Sequence, residues 1–384
     1  MTDKPTFLLP PPMFSPDELD LYFANAEQIT LPAGAVVIRE GESGDEMFVL
    51  LAGELAITAQ GKRIDYLMPG MILGEMAMVD DRPRSATATA ATECVLVRMN
   101  RDRFQALISR SPEFAVRVMN IMSIRTRRLM EEEIRRQRME EEMAVGRRIQ
   151  LSLLPRGCPQ VPGYEFVAGY RAAREVGGDL YDFTVQPDTP SLVHVVIADV
   201  TGKGVPAALY MAVSRTLLHT YALEGRKPAD ALHRVNQFIR EDETSPLFLS
   251  AFYGLLDTDI HCLTYANAGH NAPLWLHHDT GTVEPLRARG LLLGVTDAAF
   301  PEEKTCFLQP GDFVVFFTDG ITEARNADND FLEDEGLEAI VTARPWASAD
   351  ELLTAIVHAV DEFAAGLPQA DDFTVVVMRR KPLA

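Results

Sequence analysis

Apolar and polar positions follow three successive textures along the 384 residues. From 29 to 98, short apolar runs (residues 35–39, 47–51, 54–58 and 95–98) are separated by glycines. Many short strands with glycine turns predict a small all-β barrel or jelly roll. Ahead of it, Leu9-Pro-Pro-Pro-Met13 is too proline-rich for a helix interior. Ser15-Pro16-Asp17-Glu18 reads as an N-cap with proline at the first helical position. From 112 to 150 the texture changes. No proline or glycine interrupts 113–145, and opposite charges stand four apart at Glu131 and Arg135, Glu132 and Arg136, and Arg138 and Glu142. Each such pair adds about 0.2–0.5 kcal/mol to a helix. Val118, Met122, Leu129, Met130, Ile134, Met139 and Met143 form a thin, interrupted apolar seam. A long helix with one narrow seam is a solvated connector or half of a parallel coiled coil, and a coiled-coil homodimer is the expectation here. From 151 onward strands and helices mix. Apolar runs at 192–198, 251–256, 313–317 and 373–378 read as buried strands. Residues 207–223 and 229–241 have helical spacing, and the remainder reads as strand-rich. This is an α+β pattern of sheets covered by helices.

Candidate chemistry sits at the ends of these predicted strands. Asp199 (Val-Ile-Ala-Asp199-Val-Thr-Gly-Lys-Gly) and Asp319 (Phe-Phe-Thr-Asp319-Gly) each follow an apolar run. Asp371 and Asp372 precede one, and Asp179 follows Gly177-Gly178. A single Asp-Gly is most often a turn. Four strand-end sites bring carboxylates to a sheet's rim, where several rims can converge. Converging carboxylates repel unless a cation neutralises them, and a hard divalent cation takes oxygen ligands. The pattern therefore suggests a carboxylate-bound Mg2+ or Mn2+ site.

The segments around these residues carry more. Arg174-Glu-Val-Gly-Gly-Asp-Leu-Tyr-Asp-Phe183, Asp199-Val-Thr-Gly-Lys-Gly-Val-Pro-Ala-Ala208, Asn267-Ala-Gly-His-Asn-Ala-Pro273, Thr318-Asp-Gly-Ile-Thr-Glu-Ala324 and Asp371-Asp-Phe-Thr374 resemble, in order, the motifs of the SpoIIE-like PPM phosphatases, over roughly residues 145–380. The resemblance implies a metal-dependent Ser/Thr protein phosphatase with a β-sandwich flanked by helices and two Mn2+ or Mg2+ ions. It implies that Asp199 bridges the metals, with the Val200 carbonyl as a further contact. Asp179 would bind the second metal, and Asp319 and Asp371 would complete the first metal's shell. Asp372 is the next candidate because the Asp-Asp pair leaves the register open. Asp199 and Asp179 are thus the catalytic pair. Arg174 stands where the broader family has a phosphate-binding arginine, and a surface arginine is the plain alternative. The broader family's histidine after the bridging Asp is replaced by Val200-Thr201, which leaves the general acid unassigned. His270 in Asn-Ala-Gly-His-Asn reads as turn chemistry. No cysteine is followed by an arginine at the Cys-x5-Arg spacing, so a cysteine-phosphatase mechanism is excluded.

In the first texture, Gly74-Glu-Met-Ala-Met78 followed by Arg84-Ser-Ala-Thr-Ala88 resembles the phosphate-binding cassette of cyclic-nucleotide-binding domains, over 28 to about 110. The resemblance implies cAMP or cGMP as a regulatory ligand. A short helix near Gly74 and Met76 would offer N–H groups to the phosphate. Arg84 would grip the exocyclic oxygens, Glu75 would accept from the ribose 2′-OH, and Ser85 would add a hydroxyl. The expected architecture is a multidomain chain: an all-β jelly-roll sensor (1–111), a signalling helix or coiled-coil linker (112–150) and an α+β PPM phosphatase (151–384).

Charge and composition remove other classes. A net charge of −20 argues against nucleic acid, whose binding needs clustered Lys and Arg, and so against a DNA-binding regulator. Four cysteines without a Cys-x-x-Cys pair read as thiols in a reducing cytosol. No apolar run reaches the ~20 residues needed to span a bilayer, and the N-terminus lacks an apolar signal core. A cytoplasmic protein without membrane association is expected. The expected partners are a cyclic nucleotide and a phosphoprotein substrate of the anti-sigma-factor-antagonist type. A catalytically idle nucleotide-sensing scaffold is the alternative.

Overall fold

A computed structural model describes residues 13–23, 26–78, 82–241, 247–296 and 300–382. The stretch at 9–12 read as proline-rich lies outside them. The chain divides into two compact units, Met1–Arg136 and Gln137–Ala384.

The first unit pairs two antiparallel four-stranded sheets. One runs β1 (Gln28–Leu31), β8 (Cys94–Asn100), β3 (Glu46–Ala52), β6 (Ile72–Leu73); the other runs β2 (Val36–Ile38), β7 (Thr87–Ala90), β4 (Leu55–Ala59), β5 (Lys62–Leu67). Alternation along β3 divides its side chains between two cores, as a period of two requires. Phe48 and Leu50 face the space between the sheets with Leu55, Leu73, Ala88 and Leu96. Met47 and Val49 face the helices α1 (Pro16–Phe23), α2 (Arg101–Arg110) and the start of α3 (Pro112–Leu153). Ser15 caps α1 as the sequence predicts, its backbone N–H donating to Glu18 Oε2 at 2.7 Å and its hydroxyl accepting from the Glu18 N–H at 3.3 Å. α2 escaped the sequence reading.

α3 is a single 42-residue helix that passes through Gly146 without a break. Phe114, Val118 and Ile121, at helical spacing on one face, are buried in the sensor core, where Phe114 meets the rings of Phe14, Phe23 and Phe104 at 6.0 Å. Val118 thus belongs to the sensor core rather than to an open seam. Farther along, Leu129 (67% exposed), Met130, Ile134 and Met139 are exposed, and Arg136 pairs with Glu133 at 2.6 Å.

The second unit is a four-layer sandwich. One antiparallel sheet runs β10 (Leu180–Val185), β11 (Leu192–Val200), β12 (Leu249–Asp257), β13 (Cys262–Ala268), β16 (Glu303–Phe307); the other runs β15 (Val283–Pro285), β14 (Leu274–Leu276), β17 (Phe313–Phe317), β18 (Phe373–Arg380), β9 (Tyr164–Arg171). Val195, Ile197, Phe252, Phe316 and Val376 fill the space between the sheets. On the outer face of the first sheet, Val196 and Ala198 pack on α4 (Val205–Leu223) and α5 (Pro228–Glu241) through Met211, Leu218, Leu232 and Val235. On the outer face of the second, Val315, Phe317, Val375 and Val377 pack on α7 (Glu333–Thr342) and α8 (Ala349–Ala364). Helices on both outer faces explain why the central strands are continuously apolar rather than alternating. α7 and α8 correct the reading of that region as strand-rich. α8 shows its periodicity at Leu352, Ile356 and Val360, all buried, after a Ser348 N-cap whose hydroxyl accepts from the Glu351 N–H.

Candidate active site and nucleotide cassette

Strand register brings the aspartates to one rim. Leu180 opposes Ala198, so Asp179 and Asp199 share an end of the first sheet. Phe317 opposes Val375, so Asp319, which opens α6 (Asp319–Thr322), and Asp371-Asp372 share an end of the second. Asp179 is buried, and its Oδ2 accepts from the hydroxyls of Thr318 at 2.7 Å and Thr374 at 2.6 Å, which ties the two sheets together. Neither threonine was singled out in the sequence, although both lie inside the quoted motifs.

The proximity of these carboxylates shapes their ionisation. Burial, then the charge of Asp199, holds the Asp179 carboxyl well above its usual range. Burial, then Asp319, pushes Asp199 up to about 7, with Asp371 and Asp372 adding to the rise. Burial, then Asp371, pushes Asp319 up to about 6. Each carboxylate is costly to ionise beside the others, the condition a bound cation relieves.

Asp371 and Asp372 separate in role. Asp371 Oδ2 meets Lys203 Nζ at 2.7 Å, and the same ammonium donates to the Ala370 carbonyl at 2.7 Å. Lys203 sits between Gly202 and Gly204, at φ +92° and +79°, backbone that glycine adopts freely. The Asp372 carboxylate is taken by backbone N–H groups, Oδ1 by Ala173 at 2.8 Å and Oδ2 by Gly178. Asp371 thus faces the acidic cluster while Asp372 braces the loop before Asp179. The Val200 carbonyl is close by: a Cβ on Gly178 would lie 2.8 Å from it. Among the described residues, no group of three or more His, Cys, Asp or Glu side chains stands in an arrangement that could hold a metal ion as it is. The chemistry of the donors nonetheless suits a hard divalent cation: they are all oxygens, mutually repelling and partly buried, although the Lys203 ammonium occupies Asp371 in this arrangement.

Arg174 is exposed on the turn before Asp179. His270 is buried as a loop brace. Its Nδ1 lies 2.7 Å from Ser250 Oγ, and its backbone N–H and C=O bond the Asn267 side chain at 2.7 and 2.8 Å. Burial pushes its imidazole down to about 4.

In the sensor, Gly74 (φ +75°) precedes a short 3-10 helix, Glu75–Met78, where the sequence leads one to expect a short helix. The Arg84 guanidinium donates to the carbonyls of Glu46 at 2.7 Å and Gly74 at 3.3 Å. Cβ atoms on Gly44 or Gly74 would collide with that guanidinium, so both glycines shape its seat. Glu75 is buried and ion-paired with Arg125 of α3, whose Nη2 also donates to the Ile72 carbonyl at 2.8 Å. Met76 and Ser85 are exposed. Arg125 escaped the sequence reading because nothing in a charged helix distinguishes one arginine from its neighbours.

The metal-free cluster makes a prediction of its own. Asp199 and Asp319 bind protons at higher pH folded than unfolded, so their contribution to stability is present at low pH and lost as pH rises from about 4 to 7. Asp199→Asn removes one of the repelling charges. In chelator, this variant is expected to melt about 2–4 °C above wild type at pH 7.5, the shift of a ~1 kcal/mol gain in a domain of this size. The difference should vanish near pH 4. Equal melting temperatures at pH 7.5 would show that the cluster carries no such repulsion.

A sandwich of two antiparallel sheets between helices, with acidic residues gathered where the sheets meet, defines a PP2C-type phosphatase fold. The model of the Stage II sporulation protein E family matches residues 189–381, and that of the cyclic nucleotide-binding domain matches 28–111. Phosphoserine phosphatase RsbU of Bacillus subtilis is 30% identical over 245 residues, which cover 64% of this chain and 72% of RsbU. A cyclic nucleotide-gated potassium channel of Mesorhizobium japonicum is 45% identical over 86 residues, 22% of this chain and 24% of the channel. Among solved structures, the PP2C domain of SiaA from Pseudomonas aeruginosa superposes with a TM-score of 0.56 at 21% identity, over 64% of this chain and 98% of that domain, a likeness of fold. The chain belongs to the SpoIIE family of metal-dependent Ser/Thr protein phosphatases and carries an N-terminal cyclic-nucleotide-binding domain. Among the described residues, no helix is long and apolar enough to cross a membrane.

Proposed function

We propose that this chain is a nucleotide-regulated phosphatase of a phosphorylated anti-sigma-factor antagonist, with the sensor at 1–111, the signalling helix at 112–150 and the catalytic domain at 151–384. The observation that carries the catalytic reading is the convergence of Asp179, Asp199, Asp319 and Asp371, drawn from both sheets, on one acidic rim. In this reading Asp179, Asp199, Asp319, Asp371 and the Val200 carbonyl hold two Mn2+ or Mg2+ ions, and Asp372 supports the loop from behind. Bound divalent ions supply a water acidified to near neutral pH as nucleophile and charge stabilisation at phosphorus. The chain's own residues hold and orient. Thr318 and Thr374 fix the Asp179 carboxylate, and Gly202 and Gly204 let the loop after Asp199 turn. Arg174 is assigned to the substrate phosphate in this reading, and its exposure beside the loop supports that role. RsbU, named a phosphoserine phosphatase, supports the substrate class. Phosphate release from a phosphorylated anti-sigma-factor antagonist, against a phosphothreonine peptide of unrelated sequence, tests it; equal rates on both would remove the proposed partner.

Regulation is assigned to α3, the covalent path from sensor to catalytic domain, acting as a homodimer through Leu129, Met130, Ile134 and Met139. These side chains are exposed, which supports a second copy as their partner. Inserting two residues near Gln137 rotates everything downstream by about 200°. The variant is expected to keep cAMP or cGMP binding and Mn2+-dependent turnover but to lose the effect of nucleotide on rate. An unchanged nucleotide response would make α3 a tether only.

A further inference from the structure

Lys203 reaches from the rim of one sheet to the rim of the other. It lies in the loop between β11 and α4, and the chain is anchored on both sides of it. Before it, the Thr201 N–H donates to the Phe248 carbonyl at 2.9 Å, and the Thr201 hydroxyl accepts from the Phe248 N–H at 2.9 Å. After it, the Gly204 carbonyl accepts from the Ala208 N–H at 3.0 Å as α4 begins. Between these anchors the Lys203 side chain crosses to the segment before β18, where its ammonium meets Asp371 Oδ2 and the Ala370 carbonyl, each at 2.7 Å. The other carboxylate oxygen, Asp371 Oδ1, accepts from the Asp372 N–H at 2.9 Å. Both oxygens of Asp371 are therefore engaged, one by the neighbouring backbone and one by Lys203. The ammonium also acts on Asp319, where its charge opposes the rise imposed by burial and then by Asp371 and Glu323.

An ammonium against a carboxylate neutralises part of the rim's charge, with one positive charge where a divalent cation brings two. At equal distance the divalent cation attracts the same oxygen about twice as strongly. The ion pair is also weakly held. Its side chains are 39% and 30% exposed, and pairs that solvent reaches contribute little to stability. The loop leaves room for the ammonium to depart, since a Cβ on Gly204 would meet nothing within 4 Å. We propose that Lys203 is a resident counter-ion for Asp371: it carries part of the charge a metal would supply, and a divalent cation takes the Asp371 oxygen by displacing it. Lys203 then sets how much metal the site demands. The inference rests on the reading of Asp371 as a metal ligand.

The test uses the full chain with Mn2+ alone, as wild type, Lys203→Met and Lys203→Arg. Metal affinity is read from the Mn2+ concentration giving half of the maximal rise in melting temperature. Met removes the charge and keeps an unbranched side chain, and this variant is expected to need at least ~3-fold less Mn2+, the range a weak exposed pair can impose. Arg keeps a cation on the rim, and its half-saturation should stay near that of wild type. A second measurement needs no variant. Acetylation of Lys203 by acetic anhydride, followed by mass spectrometry with the exposed Lys62 of the sensor as internal reference, should run faster in saturating Mn2+ than in chelator, because the displaced amine is no longer held by Asp371. A lysine that only shapes its loop would move neither readout. A Met variant with wild-type half-saturation, or Lys203 labelling indifferent to Mn2+, would overturn the inference, and the labelling decides it if Lys203→Met does not fold. A wild-type chain whose melting temperature ignores Mn2+ would instead remove the metal-site reading itself.

Discussion

Asp199→Asn is expected to abolish phosphatase turnover, by on the order of 10^3-fold or more, while the fold stays intact. Asparagine preserves the shape of the side chain and removes its charge. Asp199 is the residue on which the neighbouring carboxylates bear most widely: its own carboxyl is pushed up by burial and then by Asp319, with further contributions from Asp371 and Asp372. In the proposed reading Asp199 would be a ligand shared by both cations, so its loss would weaken the binding of both. The variant's Mn2+-induced rise in melting temperature should also disappear, since a ligand stabilises only what it binds. The metal-free variant should be no less stable than wild type. A variant that has lost activity but keeps the full Mn2+ shift would separate Asp199 from metal binding.

The second large effect belongs to the sensor. Arg84→Ala is expected to weaken cyclic-nucleotide binding by about 2–4 kcal/mol, roughly 30–1000-fold in Kd, because a desolvated phosphate loses its charged fork. In the structure this guanidinium rests on the carbonyls of Glu46 and Gly74, neutral acceptors from which an anionic phosphate can draw it. Glu75→Ala should weaken binding less, and it also releases Arg125 from its ion pair. Calorimetry on wild type and Arg84→Ala with cAMP and cGMP decides the matter, and equal affinities would place any binding site elsewhere.

Much of this was legible in the sequence because it is local. Strands buried on both faces appear as predominantly apolar runs, as at 193–198 and 373–378, and the aspartates at their ends mark the rim. The Ser15 cap and the glycine-punctuated sensor strands are equally local. What could not be read depends on partners distant in sequence. Gln150 looks like one more polar residue in a charged helix until Gly177, 27 residues away, is placed against it. Asp371 and Asp372 are chemically identical neighbours, and only the backbone N–H groups of Ala173 and Gly178 tell them apart. α7 was hidden by its acidic first turn, Glu333, Asp334 and Glu335, which reads as loop until Leu337 and Val341 find the second sheet. Arg125 required the turn at Glu75 to be in place before its role in the sensor could be seen.

The claim that joins these parts is that the acidic rim is a metal-dependent phosphatase centre. It is tested most directly by phosphate release from a phosphoserine protein substrate with Mn2+, after chelation, and after Mn2+ is restored, using the full chain. The account predicts turnover with Mn2+, none in chelator, and recovery on restoration. Turnover that continues undiminished in chelator would contradict it.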